Sequence, residues 1–169
     1  MSAKIDIETR EFAIEDYDAV LDLWQRVEGL DIAEGDDRET IRRYLKRNRG
    51  LSRVAVIARS TTESAGAERS RRESPRGLMS REANQSIVGA VLCGHDGRRG
   101  YIYHLAVDPA YQELGIGRRL AAECRERLKD EGLERVNILV AQDNPRGREF
   151  WKCCGWEELD GAVAMGGDI

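Results

Sequence analysis

The sequence predicts an α/β domain in which a mixed sheet of six to seven strands is flanked by about four helices. Three observations lead there. Apolar residues alternate with period two in some stretches and recur with helical spacing in others. The two kinds of stretch interleave, and near the middle they form a strand, helix, strand unit, which favours parallel pairing of its two strands. A chain of 169 residues with 41% hydrophobic and 34% charged residues suits one core of ordinary size, so residues 1–169 are expected to form a single domain.

Ile5, Ile7 and Thr9 alternate with charged residues as in a half-buried first strand. Tyr17, Val20, Leu21, Trp24 and Val27 then give a helical stripe, with Asp16 as the expected N-cap and Gly29 as the stop. Ile41, Tyr44, Leu45 and Asn48 supply the thinner face of a second helix, behind the acidic group Asp36, Asp37 and Glu39 that suits a helix N-terminus. Arg53 to Arg59 and Ile87 to Cys93 are apolar and β-branched, and are expected to be neighbouring strands 2 and 3. Between them, residues 60–84 are rich in Ser, Arg, Glu and Gly with almost nothing to bury, which predicts a disordered insertion. A lid or a partner-docking loop is the competing reading of that stretch.

Asp96-Gly97 marks a turn into strand 4, Tyr101 to Val107. Strict alternation would put Tyr101, Tyr103, Leu105 and Val107 on one face and His104 on the other. Leu120, Ala121, Cys124 and Leu128 form a helical stripe after Gly117, closed by Gly132, and Val136 to Val140 reads as the next strand. Asn144-Pro145 opens a fourth helix carrying Phe150, Trp151 and Cys154, with Gly155 as its stop. Ala162 to Met165 reads as a last strand, with one more near Trp156.

The totals argue against several function classes. With 27 basic and 31 acidic side chains the net charge is -4, so there is no basic excess to grip nucleic acid. No apolar run is long enough for a membrane span, and the N-terminal residues do not form a secretory leader, which predicts a soluble, cytoplasmic protein. Four cysteines without a C-x-x-C pair and two histidines without zinc spacing predict buried free thiols and no metal site.

The informative stretch runs from Leu105 to Leu120: a strand, a turn at Asp108-Pro109, a glycine-punctuated loop and a helix. Glycines 115 and 117 let a ligand approach the backbone, and the first N–H groups of the helix have no internal acceptors, so the loop suits a pyrophosphate. A Walker loop would need Lys-Ser or Lys-Thr where Arg118-Arg119 stands. A dinucleotide fingerprint would need glycine at position 120, which is Leu120.

Gln112-x-x-Gly115-x-Gly117, preceded by Leu105-Ala106-Val107-Asp108-Pro109 and followed by Asn144 to Gly155-Trp156, resembles the GNAT superfamily of N-acetyltransferases. The nearest resemblance is to its small bacterial and archaeal YpeA-like group. The resemblance implies a splayed GNAT-type sheet with acetyl-CoA, as co-substrate, between strands 4 and 5. It implies a pantetheine arm pairing with the backbone of Leu105 and Val107 and a pyrophosphate on Leu114, Gly115, Ile116, Gly117 and Arg118, with Gln112 and Asn144 nearby. A backbone N–H of Ala106 or Val107 would polarise the thioester. Asn144 also suits a helix cap, and Arg119 a solvated face.

Members of the family are often homodimers. The acceptor implied is an amine, whether a protein N-terminus, a lysine or a small amine. Such an amine must lose a proton before it attacks, since its ordinary pKa is ~10.4. The strand-4 positions that often hold the family's base correspond to Tyr101 and Tyr103, which are expected to orient water in a proton path, with a carboxylate such as Asp31. The tyrosine that serves many members as general acid is replaced by Trp151. Trp24, Glu28 and Asp31 are the acceptor-side candidates, though Trp24 lies on the apolar stripe and suits the core better. A non-catalytic acyl-CoA-binding module and an interaction protein using residues 60–84 are the competing classes.

Overall fold

The computed structural model describes residues 6–58, 85–161 and 163–167; the predicted insertion at 60–84 lies outside the described residues. Five strands are present: β1 (Ile7–Glu11), β2 (Arg53–Ala58), β3 (Gln85–His95), β4 (Gly100–Val107) and β5 (Val136–Ile138). They pair in chain order, antiparallel throughout except for the parallel pair β4 and β5. Four helices complete the fold: α1 (Tyr17–Arg26), α2 (Arg38–Arg47), α3 (Ile116–Asp130) and α4 (Pro145–Cys153).

The sheet lies between two helical layers, and each layer closes a core of its own. On one face Val20, Leu23 and Trp24 of α1 and Ile41 of α2 cover Val54, Val56, Ala90, Leu92 and Ala106. On the other, Ile116, Leu120, Cys124 and Leu128 of α3 cover Ala55, Val88, Val91, Cys93 and Ile102. The central strands are therefore apolar on both faces, while β1, at the edge, alternates. α3 comes unusually near the sheet at Gly89, where a Cβ would stand 2.9 Å from Ile116 Cγ2 and 3.1 Å from Leu120 Cδ1.

Polar contacts fix the helices. Asp37 caps α2, its Oδ1 accepting from the N–H groups of Glu39 and Thr40 at 3.0 Å each. Asp16 precedes α1 but does not cap it; its carboxylate instead pairs with Arg10 at 2.6 Å and accepts from Ala13 N. Glu123 of α3 accepts from Thr9 of β1, from Arg53 of β2 and from Arg119, tying the helix to the sheet edge. Burial acts to raise the Glu123 pKa, but those hydrogen bonds outweigh it and hold the carboxyl below its ordinary value.

Three expectations need correction. The sheet has five strands among the described residues, not six to seven: 156–159 and 163–167 run without regular structure. Val163 and Met165 are 86% and 94% exposed, so nothing buries the apolar side of the expected last strand. β5 stops at Ile138 rather than reaching Val140. Only Cys93 and Cys124 of the four thiols are buried; Cys153 is exposed and Cys154 half-buried. Among the described residues no helix is long and apolar enough to cross a membrane.

Candidate active site

The site is organised by β4, whose two ends behave differently. β5 pairs with it only at Gly100, Tyr101 and Ile102. β5 ends there, at Ile138, and among the described residues the edge of β4 from Tyr103 to Val107 on that side has no strand beside it. The backbone of Leu105, Ala106 and Val107 thus borders a slot with hydrogen-bonding groups to offer an extended ligand.

That slot runs into the glycine loop. Asp108 caps a tight turn at Pro109–Tyr111 by accepting from Ala110 N at 2.9 Å. Gln112 straps the loop down, its Nε2 donating to Val107 O at 3.1 Å and its Oε1 accepting from Arg146 of α4 at 2.9 Å. Glu113 and Gly115 both take left-handed conformations, φ 67° and 78°. Gly115 is the N-cap residue of α3 and has no side chain with which to cap it. The first N–H taken up inside the helix is that of Arg119, which donates to Gly115 O at 3.0 Å. The donors of Ile116, Gly117 and Arg118 are left for a ligand, at the positive end of the helix dipole. A Cβ on Gly115 would meet nothing within 4 Å, so the approach is open.

On the face of α1 and α2 the same strand builds a different surface. Tyr103 pairs with Leu92 and Ala106 with Ala90, so His104 and Leu105 together oppose Val91 alone. This β-bulge is achieved by a left-handed backbone at His104, φ 48°. Strict alternation therefore fails at this point: Leu105 and Val107 pack toward α3, whereas Tyr103 and His104 both face α1 and α2. Tyr101 stacks on Tyr103 with ring centroids 5.9 Å apart.

Tyr103 and His104 line a cavity of about 190 Å³ with Glu34 and Asp36 of the loop before α2 and Thr40 and Tyr44 of α2 itself. His104 Nε2 lies 2.8 Å from Asp36 Oδ1, and Trp24 packs against the imidazole at 4.7 Å between centroids. Asp36 is fixed in turn, its Oδ2 accepting from Ala33 N at 3.0 Å and its carbonyl accepting from the Tyr17 hydroxyl at 2.8 Å. Burial, then the neighbouring Tyr101, raises the pKa of Tyr103; burial raises that of Tyr44 further. Both phenols are thereby held neutral and are unsuited to act as bases.

Comparison with known proteins identifies this arrangement. The family model described as Acetyltransferase (GNAT) family matches residues 39–156. The chain belongs to that family. The Acetyltransferase SG1711 of Sodalis glossinidius is 26% identical over 160 residues, covering 95% of this chain and 94% of the relative. Acetyltransferase ECA0875 of Pectobacterium atrosepticum is 29% identical over 154 residues, covering 91% and 90%. In fold the chain is similar to PaiA N-acetyltransferase from Thermoplasma acidophilum, solved with coenzyme A, at a TM-score of 0.66, 17% identity and coverage of 93% and 94%. Ard1 from Thermoplasma volcanium gives a TM-score of 0.64 at 19% identity, covering 88% and 81%. The protein is a GNAT acetyltransferase, and its fold is one that uses acyl-CoA.

In this acetyltransferase the predicted loop residues lie together: Gln112, Leu114, Gly115, Ile116, Gly117 and Arg118 wrap the start of α3, at the end of the β4 slot. Gly117 also admits α4, since a Cβ there would stand 3.3 Å from Phe150. Arg118 and Arg125, two turns apart on α3, line a second cavity of about 160 Å³ closed on its other side by Cys153, Cys154 and Trp156. Asn144 caps α4, its Oδ1 accepting from Gly147 N at 2.7 Å, while its Nδ2 donates to Gly29 O at 3.3 Å. Arg119 is exposed, as expected, and its guanidinium also reaches Ile7 O and the Thr9 hydroxyl of β1 at 2.9 Å each.

The acceptor-side expectations fare less well. Trp24 is fully buried, and Glu28 and Asp31 are exposed and do not line the cavity; Glu34 and Asp36 do. Trp151 makes edge contacts with Phe150 and Trp156, each at 5.1 Å. Sequence reasoning missed His104 and Asp36. The acidic run Asp36-Asp37 was visible as a helix-start signal, but nothing local marks its partner 68 residues away.

Proposed function

We propose that this acetyltransferase moves the acetyl group of acetyl-CoA to a primary amine, by direct attack of the amine on the thioester within a ternary complex. The observation that carries the reading is the unpaired edge of β4 beyond the end of β5, which leads to the uncapped start of α3 on one side of the strand and to a cavity bearing Glu34 and Asp36 on the other. The pantetheine arm pairs with Leu105 and Val107, the pyrophosphate takes the donors of the loop from Leu114 to Arg118, and Ala106 or Val107 polarises the thioester carbonyl. Gln112 and Asn144 hold the walls, and Asn144 keeps a second amide hydrogen for the cofactor.

The carboxylate-bearing cavity suits a cationic amine, whether a protein N-terminus, a lysine or a small amine. Tyr103, with Tyr101 stacked on it, orients water and substrate as a hydrogen-bond donor. A second reading, a catalytically silent acyl-CoA-binding module, rests on Trp151, which has no proton to give a departing thiolate.

Calorimetry with acetyl-CoA tests the proposal. Micromolar binding is expected, weakened at least ~100-fold, about 2.7 kcal/mol, in Gly115→Glu and far less in Gly115→Ala, which shares the φ cost but not the bulk and charge. No binding by the parent overturns the reading. Binding without turnover across a panel of amines selects the silent module.

A further inference from the structure

We infer that His104 is the group that takes the proton from the attacking amine, with Asp36 as the positioning residue that sets its tautomer; this deepens, and rests on, the proposal of amine acetylation. Three independent features of the cavity support it. First, the bulge in β4 moves His104 from the face that strand alternation assigns it to the face of Tyr103, at the cost of a left-handed backbone at a non-glycine residue. Such conformations persist where the surrounding structure over-determines them, commonly at functional sites.

Second, the imidazole is held as in nucleophile and base pairs, where a third group orients the base. With Nε2–H donating to Asp36 Oδ1 at 2.8 Å, the lone pair resides on Nδ1, which has no hydrogen-bond partner among the described residues. The carboxylate cannot swing away, because Ala33 N and, through its carbonyl, the Tyr17 hydroxyl fix Asp36 at both ends. Trp24 blocks one side of the ring.

Third, the remaining titratable groups around the cavity are unsuited to the task. Tyr44 from α2 and Tyr103 from β4 are held neutral by burial, and Tyr101 is stacked behind Tyr103. Glu34 is exposed in the loop, and neither arginine nor lysine lines the cavity to suppress a base or to repel an ammonium ion. His104 also immediately precedes the backbone that would carry the pantetheine arm, so its ring and the thioester share one short stretch of strand.

The step balances as follows. An ammonium group R–NH3+ gives one proton to His104 Nδ1 and becomes the neutral nucleophile. Its nitrogen bonds to the thioester carbon, the C–S bond breaks as the tetrahedral adduct collapses, and the nitrogen's second proton passes through water to the thiolate. The amide and coenzyme A leave, and the proton on His104 returns to solvent.

The experiment compares kcat/KM for the best amine, as a function of pH, in the parent, His104→Asn and Asp36→Asn. Asparagine tolerates the left-handed backbone, so the first variant keeps the bulge. A loss of ~100-fold or more is expected for His104→Asn, with the acid limb of the profile abolished and acetyl-CoA affinity unchanged. Asp36→Asn should lose less and displace that limb. Parent-like rates with the same acid limb in His104→Asn overturn the inference and leave amine acetylation standing, as does a loss traced to weakened acetyl-CoA binding. A parent that binds acetyl-CoA yet acetylates no amine overturns the proposed function, and this inference with it.

Discussion

The two sides of β4 reach their geometry by opposite means. Toward α3, the glycine loop is built within one local stretch: a strand end, an Asp cap, a glutamine strap and a glycine at φ 78°. Toward α1 and α2, the cavity depends on a bulge and on a contact between Asp36 and His104, residues far apart in the chain. The first side is built mainly from contacts between residues close together in the chain. The second exists only once the two core layers have closed on the sheet.

The comparison is broken most forcefully by loosening the α3 layer. Leu120 is fully buried between helix and sheet, so Leu120→Ala is expected to lower unfolding free energy by about 2–5 kcal/mol in urea titration. If the phosphate loop is a local motif, acetyl-CoA affinity in the folded fraction should nevertheless change little. Equal losses of stability and affinity would refute that independence.

A smaller effect sharpens the other side. Tyr103→Phe keeps the ring stack with Tyr101 and removes only a hydroxyl that acts as a donor. Its kcat should fall by up to about tenfold with the acid limb of the pH profile unmoved. A displaced limb would mean that the phenol, not the imidazole, titrates in the proton path.

The smallest effect concerns the edge where α3 meets β1 and β2. The folded-state pKa of Glu123 lies below its unfolded value, so its contribution to stability is present above the unfolded pKa and is lost as the pH falls through the folded one. Since the side chain keeps 25% of its surface exposed and its partner Arg119 keeps 51%, screening limits that contribution to about 1 kcal/mol or less. Urea midpoints measured from neutral to acid pH should fall less steeply in Glu123→Gln. Identical slopes would remove Glu123 from the pH response.

The same contrast explains what could be read in advance. The helices and the first five strands announced themselves through periodicity, and Asn144-Pro145 and the Gln112 to Gly117 stretch through local chemistry. The cap at Asp37 lay within a recognised acidic cluster. What was not legible was the bulge: adding one residue to a strand changes no composition, yet it reversed the faces of His104, Leu105 and Val107. Glu28 and Asp31, expected on the acceptor side from the family resemblance, lie near the end of α1 but not at the cavity, which takes its carboxylates from Glu34 and Asp36. The surplus strands were predicted from single β-branched and aromatic residues near the C-terminus, where too little apolar surface accumulates to be buried.

The bridge from Asn144 to Gly29 bears on how an enzyme of this design could change its acceptor over generations. Any side chain at position 29 would begin 2.6 Å from the Asn144 amide, on a backbone at φ 79°, so the end of α1 is barred from variation by a residue on the far side of the slot. Asp37, which caps α2, bars the other end of the loop. Inherited diversity in the acceptor is thereby funnelled into residues 30–35, and drift there can remodel the cavity while Asp36 and both helices stay in place.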